Sequence, residues 1–313
     1  MEAYLFVHFI GTESMPEHEQ IYFSVSEDGR AWKILNAGKP VLISNVGERG
    51  VRDPFIIRSV AGNHFYIIGT DLSIYHRTQK TEEKEAWRQS TNAFPYNPHP
   101  GSRNMVIWES GDLLAWSQAR IVEAAPMNAG CFWAPKCIWD KEKQAYMVVG
   151  SSKLSEENYE WLQLYRTYTR DFQRFTKAEL YMKLPSKHVF DCTFMEQEGM
   201  YYRIYKTDRI QMDTADSLNG TWLPVETNIH VLAPRHEGPA VCRKNGSESW
   251  MLMLDNLMTH GGYQLFLTDD LQKGQFVSGI AENTFPERIK YRHGSLLQIT
   301  KEEYHRLVQG LGV

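Results

Sequence analysis

Short apolar stretches that end in polar turns recur along the whole chain. One phrase places an Asp in the turn and a Trp or Phe a few residues later. It occurs five times, as "SVSEDGRAW", "ESGDLLAW", "YTRDFQRF", "DTADSLNGTW" and "LTDDLQKGQF". Because apolar, strand-forming residues precede each copy, the pattern predicts a strand, a tight turn and a packed aromatic side chain in each unit.

A second phrase precedes four of these copies: a strand, a turn, and then a strand that carries Tyr or Trp. Its copies are "DPFIIRSVAGNHFYIIGT", "APKCIWDKEKQAYMVVGS", "DCTFMEQEGMYYRIYK" and "GPAVCRKNGSESWMLMLD", which start at residues 53, 134, 191 and 238. The uneven spacing indicates one strand unit whose connecting loops differ in length.

Three or four short strands per unit, repeated five times, predict an all-β fold: a five-bladed β-propeller that spans residues 1–313 as one domain. The fifth unit lacks an opening strand near the N-terminus, and the C-terminal "HGSLLQIT" can supply it. Closing the ring with strands from both termini removes exposed sheet edges. Thr300 and Glu303 form a capping box that predicts a short C-terminal helix. A β-sandwich with coincidental turns is the alternative fold.

Charged residues stand where the innermost strands begin. The first strand of each blade in a propeller lies nearest the axis, and these strands start around one end of the central channel. Asp53 precedes a proline at the start of "DPFII", although strand interiors disfavour both residues. Asp191, Glu237 and His293 occupy matching places in later units, and the second unit offers Lys136. The repeat therefore predicts three carboxylates on one funnel, although each could also serve a turn.

Carboxylates held apart around a pocket suit the cleavage of glycosidic bonds. One group must be protonated to help the leaving oxygen depart, and another must be ionised to activate a water molecule. A third carboxylate near the acid can raise the pKa of that acid by repulsion between like charges.

Four segments give the chain a resemblance to glycoside hydrolase family 43, a family of five-bladed propeller enzymes: "RDPFIIR…GNHFYIIGTDL", "FWAPKCIWD", "VFDCTF…GMYYRIYK" and "HEGPAVCRKNG". The resemblance implies an inverting mechanism with no metal required for catalysis. It implies that Asp53 is the general base and Glu237 the general acid, and that Asp191 tunes and orients the acid. It also implies that His293 lies near the axis, where it touches a structural Ca²⁺ or a water molecule.

Further side chains are candidates for binding the substrate. The segment "FWAP" commonly ends in an acidic residue in this family, whereas Lys136 stands there in this chain, so we expect an effect on specificity rather than on the three acids. Trp133 and Phe132 can stack on a sugar face, with core packing as the alternative. The remaining polar candidates, each of which has an ordinary structural alternative, are Arg103, Lys206, His236 and His260.

Composition excludes some partners. The net charge is −4 and no basic patch stands out, so we expect no nucleic-acid partner. No stretch approaches the roughly 20 apolar residues that span a membrane, and the N-terminus does not resemble a signal peptide. The four cysteines lack metal-ligand spacing and predict buried thiols in a reducing compartment, the cytoplasm.

These observations predict an exo-acting glycosidase that trims oligosaccharides, with α-L-arabinofuranosidase as the leading activity. β-Xylosidase and β-galactosidase are alternatives within the family. Related five-bladed families cleave sucrose or use phosphate, and a phosphate site would need cations such as Lys136 and Arg103. The alternative outside enzymes is a propeller that only binds a glycan or a protein, although a binder has no need for three clustered carboxylates.

Overall fold

The structure is a computed structural model that describes residues 1–79, 101–256, 262–279, 285 and 290–313. In these residues the strands form five antiparallel sheets of four strands each. The innermost strands of the five sheets contact one another in ring order around a common axis. This arrangement confirms the predicted all-β, five-bladed propeller.

The strands follow one another blade by blade. Blade 1 contains β1 (Ala3–Ile10), β2 (Tyr22–Ser26), β3 (Lys33–Ile34) and the inner strand β20 (Tyr291–Ile299). Blade 2 contains β4 (Val51–Arg58), β5 (Phe65–Asp71), β6 (Asn104–Ser110) and β7 (Arg120–Glu123). Blade 3 contains β8 (Trp133–Asp140), β9 (Ala145–Ser152), β10 (Gln163–Thr169) and β11 (Glu179–Met182).

The last two blades have the same order. Blade 4 contains β12 (Phe190–Gln197), β13 (Met200–Lys206), β14 (Ile210–Ala215) and β15 (Leu223–Pro224). Blade 5 contains β16 (Glu237–Arg243), β17 (Trp250–Asp255), β18 (Tyr263–Thr268) and β19 (Val277–Ser278). Three α-helices lie in the described part of the chain: α1 (Ile74–Thr78), α2 (Ile229–Leu232) and α3 (Lys301–Leu311). None of these helices is long and apolar enough to cross a membrane.

Strand β20 closes the ring. It pairs with β1 along its whole length, from Ala3 opposite Ile299 to Ile10 opposite Tyr291. The predicted closure by strands from both ends of the sequence is therefore confirmed. Helix α3 follows at once, and its capping box at Thr300 is present as predicted.

Four of the five predicted Asp turns have a common geometry. The carboxylates of Asp28, Asp112, Asp171 and Asp270 each accept hydrogen bonds from the backbone N–H groups two and three residues later. The same turns bury an apolar side chain directly after the aspartate in three blades, at Leu113, Phe172 and Leu271. The turns thus fix the outer strands with an Asp that satisfies otherwise unpaired backbone donors.

The hydrophobic core is divided into five clusters, one at each interface between neighbouring blades. For example, Val7 of blade 1 packs with Ile67 of blade 2, and Val149 of blade 3 packs with Phe194 of blade 4. Because packed side chains hold every inner strand on both sides, the ends of these strands form a rigid frame at the channel. The four cysteines are buried free thiols, as predicted.

Candidate active site

Each inner strand is interrupted at the same point, where the pairing register shifts. In blades 2 to 5 the shifts fall between Arg52 and Phe55, Trp133 and Lys136, Phe190 and Thr193, and Glu237 and Ala240. In blade 1 the shift leaves His293 unpaired in β20. The shifts are β-bulges, which turn side chains away from the regular alternation and toward a site.

The first bulged residue has left-handed backbone geometry in four blades. Its φ is 52° at Asp53, 47° at Ala134, 51° at Asp191 and 59° at Gly238. Such values are uncommon for residues that carry a Cβ, and they mark positions where the surrounding fold imposes the conformation. Glu237 precedes this position by one residue, so its carboxylate enters the site from a different place in the bulge than those of Asp53 and Asp191.

The structure brings together the three predicted carboxylates around the predicted histidine. Nδ1 of His293 lies 3.1 Å from Oδ1 of Asp53 and 3.8 Å from Oδ2 of Asp191. Nε2 of His293 lies 2.9 Å from Oε1 of Glu237. The imidazole is buried, with 8% of the residue exposed. His293 therefore lies at the centre of the site, among the three carboxylates.

Asp53 is held as an anion. Burial opposes its charge, but the hydrogen bond and the charge of His293, then Arg52 and Thr70, outweigh burial and keep the pKa of Asp53 well below its usual range. Thr70 Oγ1 donates to Oδ2 of Asp53 at 2.7 Å and accepts the backbone N–H of Ala134 at 2.8 Å. The hydroxyl thus fixes one carboxylate oxygen and ties blade 2 to blade 3. An ionised, oriented carboxylate suits a general base.

Asp191 and Glu237 behave as a coupled pair. Burial raises the pKa of Asp191 to about 6; the charge of His293 opposes this rise, and the charges of Glu237 and Asp53 support it. Burial also disfavours the charge on Glu237, but His293, Arg292 and Lys206 outweigh burial and lower its pKa. We expected Asp191 to keep the pKa of Glu237 raised. The structure instead lowers the pKa of Glu237, because the ring of His293 lies against its carboxylate.

Four further residues complete the site, and sequence reasoning missed them. Arg292 Nε lies 2.5 Å from Oδ2 of Asp255, and Arg292 Nη2 lies 3.4 Å from Oε1 of Glu237. The Tyr263 hydroxyl donates to the carbonyl of Gly238 at 2.7 Å and accepts the N–H of Gly294 at 2.8 Å. Thr70 is the fourth. The sequence contains two signals that could have identified these residues: Asp255 ends the apolar strand "WMLMLD", and Arg292 directly precedes His293.

Two predicted binding residues lie at the site. Trp133 is the first residue of β8, and it has the same position relative to the bulge as Glu237 has in β16. Trp133 is half-buried, so its ring stays a candidate surface for a sugar. Lys206 ends β13 opposite Phe190. Burial lowers the pKa of Lys206, whereas the charges of Glu237 and Asp191 act to raise it, which places its ammonium within electrostatic reach of the acids.

Two other predicted binding residues, Phe132 and Lys136, are buried. Phe132 is fully buried, and its ring occupies the space that a side chain at Gly150 would fill, so core packing explains it. Lys136 is 1% exposed, and its ammonium donates to the carbonyl of Gly294 at 3.4 Å. We expected Lys136 to face the substrate. The structure instead buries it within the field of Asp53 and Asp191, because the bulge at residues 134 and 135 turns it inward.

The remaining polar candidates are Arg103, His236 and His260. Each either has a partner other than the three acids or lies outside the described residues. Arg103 Nη2 pairs with Oε1 of Glu123 at 2.5 Å, so the alternative of an ion pair is correct. His236 Nε2 lies 2.6 Å from Oε1 of Gln264, and the residue is 5% exposed. It therefore supports the wall behind Glu237. His260 lies outside the described residues.

The side chains around His293 include possible ligands for the cation that we expected there. Ligand atoms of Asp191, Glu237 and His293 lie within 4.8 Å of one another. Burial would lower the pKa of His293, but the charges of Asp191 and Glu237 and its hydrogen bond to Asp53 raise it well above the usual value. Both ring nitrogens of His293 thus face carboxylates of the site. A cation or a water molecule beside His293 stays a prediction.

Five blades around a channel, with acidic groups of different pKa at one mouth, define a propeller of the glycosidase class. Residues 1–305 match the family described as "Probable glycosyl hydrolase domain", and the chain belongs to this family, which is related to glycoside hydrolase family 43. The resemblance seen in the sequence is thereby confirmed.

The chain is also similar to individual proteins. It is 28% identical over 226 residues to an α-L-arabinofuranosidase of Bifidobacterium longum subsp. longum, covering 66% of this chain and 20% of the relative. The chain thus spans about a fifth of the length of that curated relative.

Solved structures share the fold. An exo-β-1,3-galactanase from Clostridium thermocellum superposes with a TM-score of 0.59 at 12% identity, covering 88% of this chain and 59% of that chain. A family 43 protein, BlXynB from Bacillus licheniformis, superposes with a TM-score of 0.56 at 16% identity, covering 96% of this chain and 56% of that chain.

Proposed function

We propose that this chain is an exo-acting, inverting glycosidase that removes terminal α-L-arabinofuranosyl groups from oligosaccharides. One observation carries the proposal: Asp53 and Glu237 approach the imidazole of His293 from opposite sides, through Nδ1 and Nε2. An imidazole ring between the two carboxyl groups supports a gap wider than the ~5 Å of retaining enzymes, and inverting enzymes need about 6.5–9.5 Å to admit a water. The curated relative supports the choice of sugar.

The proposed reaction uses side chains of this chain for every proton transfer. Asp53, ionised and fixed by Thr70, takes a proton from the water that attacks the anomeric carbon. Glu237 gives a proton to the departing oxygen. Before each turnover that proton must reach Glu237, and we take the adjacent Asp191, whose pKa is raised to about 6, as the group that shares this proton with Glu237. The roles of acid and base therefore require a proton to move within the coupled pair when the sugar binds.

The test is a panel of nitrophenyl glycosides and of arabino-, xylo- and galacto-oligosaccharides, with NMR of the first-formed sugar. We expect release of arabinose with inverted configuration. A folded Asp53→Asn, Glu237→Gln double variant is the control for contaminating activity. Retained configuration would refute the base role of Asp53. Release of xylose or galactose instead would replace the sugar assignment, and no hydrolysis of any substrate would favour the binding propeller.

A further inference from the structure

The side chain of Lys136 crosses the central channel. Lys136 belongs to β8 in blade 3, and its Nζ donates to the carbonyl of Gly294 in β20 of blade 1 at 3.4 Å. Blades 1 and 3 are not neighbours in the ring, because β4 of blade 2 separates their inner strands on one side. A side chain that joins two such blades must pass over the axis, so the ammonium lies on or near it.

The ammonium has an unusual environment for a lysine. Lys136 is 1% exposed, and Nζ lies 5.3 Å from the centre of the Phe55 ring, within the range of a cation–π contact. Within the described residues no carboxylate oxygen lies within 4.0 Å of Nζ. Buried lysines are rare unless they are paired, because burial disfavours the charge. Burial lowers the pKa of Lys136, and the charges of Asp53 and Asp191, on the two strands that flank β8, act to raise it.

The position of Gly294 connects this cation to the site. Gly294 directly follows His293, so the hydrogen bond from Lys136 holds the backbone that carries the imidazole. The acids are thus bracketed by two cations, an imidazolium that contacts them and an ammonium on the axis.

We infer that Lys136 is a positioning residue that acts as a resident cation on the channel axis, so that Asp53, Asp191 and Glu237 stay clustered with His293 and exclude a divalent metal ion. A hard cation such as Ca²⁺ takes six to eight oxygen ligands and gains affinity from each added carboxylate charge. A fixed ammonium among these carboxylates opposes such binding by Coulomb repulsion, which is strong where water is excluded. Without the ammonium, the cluster carries one more uncompensated negative charge and becomes a better site for Ca²⁺.

The experiment compares the wild type with Lys136→Met, which keeps an unbranched side chain one atom shorter and removes the charge. Thermal unfolding is recorded in EDTA and in increasing CaCl₂, and Ca²⁺ binding is measured by calorimetry. We expect the wild-type midpoint to be unaffected by Ca²⁺ and the Lys136→Met midpoint to rise by about 3 °C or more when Ca²⁺ is about 100-fold above its Kd. Lys136→Arg restores the charge and should behave as the wild type does.

The matched control is Lys153→Met. Lys153 is also buried, at 3% exposure, but it lies after β9, and the carboxylate whose charge acts on it is that of Glu160 rather than one of the site acids. This variant should not respond to Ca²⁺. Equal Ca²⁺ shifts in the wild type and Lys136→Met would overturn the inference, as would a Lys136→Met or Lys136→Gln protein that binds no Ca²⁺. Lys136→Gln serves if the Met variant does not fold.

The Ca²⁺ measurements need no substrate, so they stand even if the proposed hydrolysis fails. A second readout rests on the proposed function. If the ammonium positions Asp53 and His293, kcat should fall about tenfold or more in Lys136→Met while KM changes little, and Lys136→Arg should recover most of the loss. A general loss of packing would instead lower activity in both variants alike.

Discussion

Gly238 and His293 are in direct contact, and the contact leaves no room for a side chain at residue 238. A Cβ at Gly238 would lie 2.6 Å from Cδ2 of the imidazole. The left-handed backbone by itself does not demand glycine, because Asp53, Ala134 and Asp191 adopt the same geometry at the equivalent positions. The ring of His293 is therefore what selects glycine here.

Gly238→Ala should displace the imidazole from between Asp53 and Glu237. We expect a loss of activity of about tenfold or more and a clear drop in the unfolding midpoint, measured by kinetics and thermal denaturation. Gly246→Ala is the control, because Gly246 also has a positive φ, of 69°, yet nothing lies within 4 Å of its Cβ position. The stability cost of Gly238→Ala should shrink in a His293→Ala background. Equal costs in both backgrounds would contradict the proposed contact.

The three carboxylates should be separable by kinetics. Asp53→Asn removes the proposed base, so activity should fall about 10²–10⁴-fold even on nitrophenyl glycosides. Glu237→Gln removes the proton donor and should harm substrates with poor leaving groups most. Asp191→Asn removes the group that holds the shared proton, and the alkaline limb of the pH–rate profile should move to lower pH. Each folded variant is assayed on two substrates that differ only in leaving group. If all three variants stay within a few-fold of the wild type, the mechanism is untenable.

Thr70→Val should weaken both bonds that its hydroxyl makes. Asp53 would lose a hydrogen bond to its charged form and the N–H of Ala134 would lose its acceptor, so we expect about a tenfold fall in kcat and a stability cost of about 1–3 kcal/mol. Thr167→Val is the matched control. Thr167 is fully buried and its hydroxyl donates to the carbonyl of Thr176 at 2.6 Å, in the third strand of its blade. A similar fall in kcat in the control would show that Thr70 acts only through packing.

His293 should make stability depend on pH. Its pKa in the folded chain is raised well above 6.5, so its contribution is fully present below about pH 6.5 and is lost as the pH rises through the folded value. Burial lowers the pKa of His236 instead, so stability tied to that residue increases as the pH rises through the usual histidine range. Urea unfolding from pH 5 to pH 9 should therefore show a flatter alkaline loss for His293→Gln, whereas His236→Gln should lose part of the rise in stability between pH 5 and about pH 6.5 and keep the alkaline loss. Parallel curves for the two variants would refute the assignment.

The fold was predictable because its signals are local. The Asp turns satisfy backbone donors two and three residues away, as at Asp28 and Asp112, and such turns can be read from a short stretch of sequence. The convergence of Asp53, Asp191 and Glu237 followed from one further rule, that inner strands begin at a common channel.

The rest of the site could not be predicted because it depends on the bulges and on ring closure. A bulge changes which face a residue occupies, so Lys136 is buried beneath the acids although Trp133, on the other side of the bulge, is only half-buried. The pairing of Arg292 with Asp255 joins blade 1 to blade 5, and it exists only when β20 is in place. The charge of His293, and with it the pKa order of the acids, depends on the same event.

The closing strand β20 determines the order in which the parts of the site come together. Strand β20 follows the other nineteen in chain order and carries both His293 and Arg292. During synthesis on the ribosome, the acids on β4, β12 and β16 emerge first. The two cationic side chains of β20 that offset their charge, His293 and Arg292, emerge last. Until β20 arrives, Glu237 lacks the two cationic side chains that contact it, so the site is incomplete. The nascent chain would then gain its active site and its closed ring in one step, so that a chain stalled before residue 291 is both open and inactive.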